Sequence, residues 1–299
     1  MRFFDKYTGF FRRLKLVYVL NNIWNYKHLK NNKSLYKKYN VKKPVWSAIS
    51  SKDFKHLSQE NKSFASDNKS WETDGFVHIS GMFSDLFIDK LVNDFDNALQ
   101  DKRIDFNYTQ RKVHDAYNQV PSLKEIIHHK SLKESLQNLT GEEMMPFQSI
   151  NFVKGSEQAA HSDSIHMATY PEGGLVGVWV ALEDVNEENG TLFYYPGSHK
   201  LSYTTNEDCG NRTGWLLSPN PNKNYEEHLA EKLEKTCLGK VTFKAKKGDV
   251  LIWHANLIHG GLPHLDQNRT RKSMVVHYFA KNRVCYHELS QRPAIIKEI

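Results

Sequence analysis

The chain has 299 residues, 39% of them hydrophobic, which is enough material for one substantial core. Its three cysteines, Cys209, Cys237 and Cys285, are too few and too scattered for a disulfide framework or a zinc ribbon, and reduced thiols in a cytoplasmic protein are the expectation. The net charge of +7 gives no ground for a nucleic-acid groove, because it is concentrated at one end of the chain.

Residues 1–43 hold twelve Lys or Arg against the single acid Asp5, a net +11, which leaves −4 for residues 44–299. Aromatic and aliphatic residues such as Phe3, Phe10, Phe11, Leu14 and Trp24 are interleaved with these bases. No run reaches the about 18 apolar residues that span a bilayer, and a secretory cleavage site is missing. Residues 1–67 therefore read as a basic, aromatic-rich helical extension of the mature chain. Two readings stay open for it: helices packed on the body with their charges solvated, or a peripheral contact of residues 1–43 with an anionic membrane.

A domain is expected over residues 68–285. Asn68 to Asp74 is polar and reads as a linker or turn, and Gly75 to Ile79 as a short strand. Ser84 fits the N-cap of an amphipathic helix whose stripe is Ile88, Leu91, Val92, Phe95 and Leu99. A second helix is expected from Ser131 to Leu139, stopped near Gly141. Strands then dominate, over residues 147–154, 160–163, 177–183, 191–195, 240–244, 249–253 and 272–279. Between His199 and Lys240 lies a polar insertion, about residues 200–240, with one helix around Tyr225 to Lys235. Its length and place point to a lid, with a surface excursion as the plainer alternative. Residues 286–299 read as a tail. A helical first third and a strand-rich remainder give a mainly β fold with α, one barrel buttressed by N-terminal helices.

Within the strand-rich part stands His161-Ser162-Asp163. In a strand, residues i and i+2 share a side, so His161 and Asp163 can face one metal while Ser162 points away. A distant third ligand is offered by His259, which precedes Gly260-Gly261; His254 is its competitor but continues the strand over 249–253. Two imidazoles and one carboxylate suit a mononuclear iron(II) centre with open positions. The segment from Arg271 to Tyr278 alternates, placing Arg271, Ser273, Val275 and His277 on one side, and a guanidinium fork beside a hydroxyl suits a carboxylate.

These motifs, with Trp179, the segments 181–185 and 188–192, Pro196-Gly197-Ser198-His199 and His259-Gly260-Gly261, resemble the phytanoyl-CoA dioxygenases in order and approximate spacing, from about Phe76 to Phe279. The resemblance implies a double-stranded β-helix (jelly-roll, cupin-like) and an iron(II)- and 2-oxoglutarate-dependent oxygenase. It implies iron ligation by His161, Asp163 and His259, and a 2-oxoglutarate pocket formed by Arg271, Ser273, Trp179 and Ile150. O2 would be the oxidant, ascorbate a stimulant, and a small molecule the substrate, lipid- or sugar-linked molecules included. Asp163 stands where related halogenases have a small residue, which implies hydroxylation or a related C–H oxidation. Gly261 stands where the family often has a serine, so one cosubstrate hydrogen bond is expected to be missing. The alternatives are a non-oxidative metal-binding isomerase or sugar-binding barrel, and a membrane-recruited scaffold. Oligomeric state is not legible.

Flotation with anionic liposomes, with and without residues 1–43, separates the two readings of the extension. Helices docked on the body predict that the truncated protein precipitates or loses metal. A surface anchor predicts a soluble truncated protein and salt-sensitive liposome binding by the full chain, since exposed charges are screened over about 8 Å at physiological ionic strength.

Overall fold

The computed structural model describes residues 69–107, 109–170, 172–211, 221–281, 283–288 and 292–293. The extension expected over residues 1–67, with its basic segment, lies outside the described residues.

The polar stretch ending at Asp74 is a helix rather than a linker: α1 spans Lys69–Asp74 and buries Trp71. Gly75, at φ +84°, turns left-handed and returns its N–H to the carbonyls of Ser70 and Trp71. One apolar residue in six leaves no periodic signal, so only the core that receives Trp71 reveals this helix.

Strand β1 (Phe76–Ile79) leads to α2 (Asp85–Gln100), where the Ser84 hydroxyl accepts a hydrogen bond from Phe87 N–H at 3.3 Å. Ile88, Leu91 and Phe95 of the expected stripe are buried, joined by Ala98. Strand β2 (Lys112–His114), α3 (Lys124–Ile127) and α4 (Lys130–Thr140) follow, and α4 stops at Gly141 with φ +67°. The remaining elements are β3 (Met144–Phe152), β4 (Ala168–Tyr170), β5 (Leu175–Ala181), β6 (Leu192–Tyr194), α5 (Pro221–Glu234) and β7 (Val241–Thr242). Then come β8 (Val250–His254), β9 (His259–Gly261), β10 (Ser273–Ala280), β11 (Val284–His287) and β12 (Arg292–Pro293). Strand β11 pairs with β4, Cys285 opposite Thr169 and Tyr286 opposite Ala168, so the chain stays in a sheet past residue 285.

Among the described residues the strands form one six-stranded antiparallel sheet, β1-β8-β5-β10-β3-β2, and two three-stranded sheets, β7-β6-β9 and β12-β11-β4. The two-residue period of a strand sorts the large sheet into two cores. Its outer face presents Val176, Val178, Val180, Ile252, Val276 and Tyr278 to α2, α3 and α4. Tyr278 Oη also donates to the Ile127 carbonyl at 2.8 Å, pinning β10 to α3. Its inner face presents Trp179, Ala181, Leu251, Trp253 and Val275, which meet Leu192 and Tyr194 of β6 and Phe243 beyond β7. Two sheets facing each other across an apolar interior, with helices on the larger sheet's outer face, make the double-stranded β-helix expected from the sequence. Strand β5 is buried on both faces and reads as the unbroken apolar run LVGVWVA.

The outer core gives a stability test. Leu91, fully buried on α2, should cost about 2–5 kcal/mol when cut to alanine. Leu86 on the same helix is 83% exposed, and its alanine variant should stay within about 0.5 kcal/mol of the parent. Urea denaturation of the two variants measures the contrast.

Candidate active site

The expected strand over residues 160–163 is replaced by a single backbone bridge and a tight turn. His161 N–H donates to the His259 carbonyl at 2.9 Å, and His259 N–H returns a bond to the His161 carbonyl at 2.8 Å. Ser162 is extended, and Asp163 opens a 3-10 turn through Ile165. This bend swings the carboxylate between the two rings: Asp163 Oδ1 lies 3.8 Å from His161 Nε2 and 3.8 Å from His259 Nε2. Ser162 still points away from the cluster, as the i, i+2 argument required.

Both rings are held in the same way. His161 Nδ1 is 2.9 Å from the Ala159 carbonyl and His259 Nδ1 is 2.9 Å from the Leu257 carbonyl. Each contact puts the ring proton on Nδ1 and leaves the Nε2 lone pair facing Asp163. Burial, then the His259 ring beside it, pushes His161 down to about 3, so it is neutral at physiological pH. Burial by itself would raise Asp163, but the imidazoles of His259, His277 and His161 outweigh it and hold the carboxyl well below the usual range. The three donor atoms lie within 4.8 Å of one another, and all three residues are buried. An ion about 2 Å from each fits such a set.

The other carboxylate oxygen is occupied. Trp253 Nε1–H donates to Asp163 Oδ2 at 2.8 Å, and His277 Nε2 stands 3.6 Å from the same atom. Strand register sets Gly177 opposite Trp253, and any Cβ there would collide with the indole. Gly177 thus makes room for the ring that aims Oδ1 at the histidines. His254, the competing histidine, has its Nδ1 accepting from Asn256 N–H at 3.1 Å and packs beside Trp71 and His199, outside the cluster.

Arg271 and Ser273 come together further along the interior. The Arg271 side chain is fully buried, its Nε donating to the Gly190 carbonyl at 3.2 Å and one terminal nitrogen to Ser273 Oγ at 2.6 Å. Its Nη2 is buried with no hydrogen-bond partner. The guanidinium carbon sits 5.4 Å from the Phe152 ring centre and 6.0 Å from that of Trp179. Burial lowers the Arg271 pKa to about 10, so the side chain remains a cation. Trp179 Nε1 is likewise buried without a partner, and Ile150 packs at the edge of the same interior.

Several contributors were not legible in the sequence. Asn189-Gly190 reads there as a turn, yet this turn also holds the clamp: Asn189 Nδ2 donates to the Thr270 carbonyl at 3.0 Å, next to Arg271, and the Gly190 carbonyl receives Arg271 Nε. The space a side chain at Gly261 would need is filled by the Ser156 hydroxyl, so the loop after β3 closes against β9. Trp253 carried no signal as a partner of Asp163, because only the pairing of β5 with β8 shows which glycine faces it.

Comparison with known proteins agrees with this geometry. The phytanoyl-CoA dioxygenase family model matches residues 71–273, more than half of the chain. A phytanoyl-CoA dioxygenase of Arabidopsis thaliana is 24% identical over 219 residues, covering 72% of this chain and 71% of the plant protein. The phytanoyl-CoA dioxygenase domain-containing protein 1 of Danio rerio is 28% identical over 145 residues, and that match spans only about half the length of each protein, 46%. Among solved structures, EctD from S. alaskensis superimposes with a TM-score of 0.61 at 21% identity, over 84% of this chain and 88% of EctD. EctD has also been seen with bound Fe, and with 2-oxoglutarate and 5-hydroxyectoine. The likeness to EctD shows the shared fold, and with the family match over residues 71–273 the conclusion is that this chain belongs to the phytanoyl-CoA dioxygenase family.

Proposed function

We propose that the chain is an iron(II)- and 2-oxoglutarate-dependent dioxygenase that hydroxylates a small-molecule substrate. The observation that carries this reading is the pairing, in one barrel interior, of a three-donor cluster with a buried guanidinium that still has an unpartnered N–H group.

The residues fit both groups. Two imidazoles whose Nδ1 atoms are tied to backbone carbonyls and whose Nε2 atoms face Asp163, with a carboxylate held ionised, are the donor types that iron(II) takes, and Oδ1 is the carboxylate oxygen left for it. A buried cation with an unpaired donor needs an anion, and Arg271 Nη2 with Ser273 Oγ offers a forked site for the distal carboxylate of 2-oxoglutarate. When bound, iron and 2-oxoglutarate together activate dioxygen, and 2-oxoglutarate leaves as succinate and carbon dioxide.

The chain's own share is orientation and exclusion of water. His161, Asp163 and His259 would hold the metal through three donor atoms that already lie within 4.8 Å of one another. Trp253 engages Oδ2 and so would leave Oδ1 as the oxygen offered to a metal, with His277 Nε2 3.6 Å from the same Oδ2. Phe152, Trp179 and Ile150 line the interior beside Arg271, so a cosubstrate carboxylate bound there would be shielded from solvent and its contact with the guanidinium strengthened. The oxidised molecule belongs to the broad class of small metabolites, since fold and ligand set do not select among them.

Asp163→Ala should abolish succinate formation and one-equivalent iron(II) binding. Full turnover by that variant would remove the carboxylate from the ligand set. Arg271→Ala should weaken 2-oxoglutarate binding by roughly 30- to 1000-fold, about 2–4 kcal/mol, with Lys recovering only part of it because it lacks the fork. Isothermal titration in the presence of metal reads both Arg271 variants. An unchanged Kd would move the clamp to Arg269 or Lys272, which in this structure are already paired with Glu188 and Asp96.

A further inference from the structure

Helix α5, within the long insertion, does not stand free of the barrel. Tyr225 and Leu229, one turn apart, are buried against Ile165, two residues past Asp163, and Ile258, the residue before His259. The insertion therefore packs on the backs of both loops that carry the metal-facing residues.

A chain of buried hydrogen bonds runs through the same place. Ser162 N–H donates to Tyr225 Oη at 2.8 Å, and Ser162 Oγ lies 3.2 Å from that oxygen. Ser162 Oγ is 2.9 Å from Ser164 Oγ, which donates to Asn256 Oδ1 at 3.3 Å. Asn256 Nδ2 in turn donates to the carbonyls of His199 at 3.1 Å and Leu201 at 2.7 Å, where the insertion departs from the barrel. The network thus ties the start of the insertion and its helix to the loop of His161 and Asp163 on one side and the loop leading to His259 on the other. Ser162 is the residue between the first two donors, and its buried N–H must find an acceptor. Tyr225 Oη is that acceptor. All four side chains are almost fully buried, so water does not compete for these bonds.

We propose that the insertion is a clamp on the metal ligands, in which Tyr225 is a positioning residue that fixes Ser162 and with it the spacing of His161 and Asp163. This rests on the reading of His161, Asp163 and His259 as the iron site. Without the phenol oxygen, Ser162 N–H loses its partner, the extended residue between the two donors relaxes, and the metal meets a set that is no longer preorganised.

Anaerobic titration of the metal-free full-length protein with Co(II) alone, followed by its visible absorption, tests the clamp. Tyr225→Phe keeps the ring and removes only the hydroxyl. It should weaken Co(II) binding by about 10- to 100-fold and shift the absorption band. Leu91→Ala, in the outer core away from the ligand loops, should lower Tm at least as much while leaving Co(II) affinity within a few-fold of the parent. Parent-like affinity and spectrum in Tyr225→Phe would overturn the clamp. So would an equal loss in Leu91→Ala, which would reduce the effect to general destabilisation. Should Tyr225→Phe fail to fold, Ser164→Ala, which cuts the next link of the network, is read by the same two outcomes. A parent protein that binds no Co(II) at one equivalent would overturn the iron reading itself, before any variant is compared.

Discussion

The site depends on the reciprocal pair of backbone hydrogen bonds between His161 and His259. Two bonds of 2.9 and 2.8 Å join segments far apart in sequence and make their side chains neighbours, with ring centres 4.5 Å apart. Everything around the pair serves to keep it. Strand β9 continues from His259 into pairing with β6, and the 3-10 turn after Ser162 folds Asp163 back into the gap between the rings. Because the bridge is backbone, the side chains are left free to offer Nε2 and Oδ1 to one point. A bridge alone leaves two rotatable rings, and the Nδ1 contacts to Ala159 and Leu257 remove that freedom.

Sorting by the strand period explains how one sheet supports both a stable body and a polar site. The outer face of the large sheet is an aliphatic seam against three helices, and its burial is the main source of stability. The interior that the large sheet's inner face covers can then hold groups that cost free energy to bury: the Arg271 guanidinium just before β10, and His161, Asp163 and His259 from β9 and the loop bridged to it. Arg271 is the expensive member. A buried cation costs several kcal/mol unless paired, and here two neutral acceptors and two aromatic faces compensate only in part. The uncompensated N–H group is the feature on which the proposed carboxylate site rests.

Glycines at Gly177 and Gly190 shape the surroundings of Asp163 and Arg271. At Gly177 the missing side chain admits the Trp253 indole, so the tryptophan becomes a hydrogen-bond donor to Asp163. At Gly190, with φ +76°, the turn presents its carbonyl to Arg271 while its Cα packs on the backbone of His264. A metal donor set and a carboxylate clamp are thus both held by partners that are neither charged nor catalytic.

The sequence by itself offered a candidate donor set, a candidate carboxylate clamp and the order of helices before strands, because these rest on residue chemistry and local period; the resemblance to the family supplied the double-stranded β-helix. His161, Asp163 and His259 are the donor types of an iron site, Arg271 and Ser273 share a strand side, and strands over residues 177–183 and 249–253 were legible from their apolar content. Helix α2 was equally visible, since a stripe at helical spacing with a serine cap is a local signal. What only the tertiary structure decided is contact between segments whose spacing has no period. Helix α1 exists because the core accepts Trp71, and the donors converge through a bridge and a turn instead of a strand. Trp253 meets Asp163 only because register sets it across from a glycine, and Tyr225 meets Ser162 only because the insertion docks on the ligand loops. Local sequence carries propensity and donor chemistry, whereas a hydrogen bond across dozens of residues is fixed by sheet register and packing, which no short window of sequence encodes.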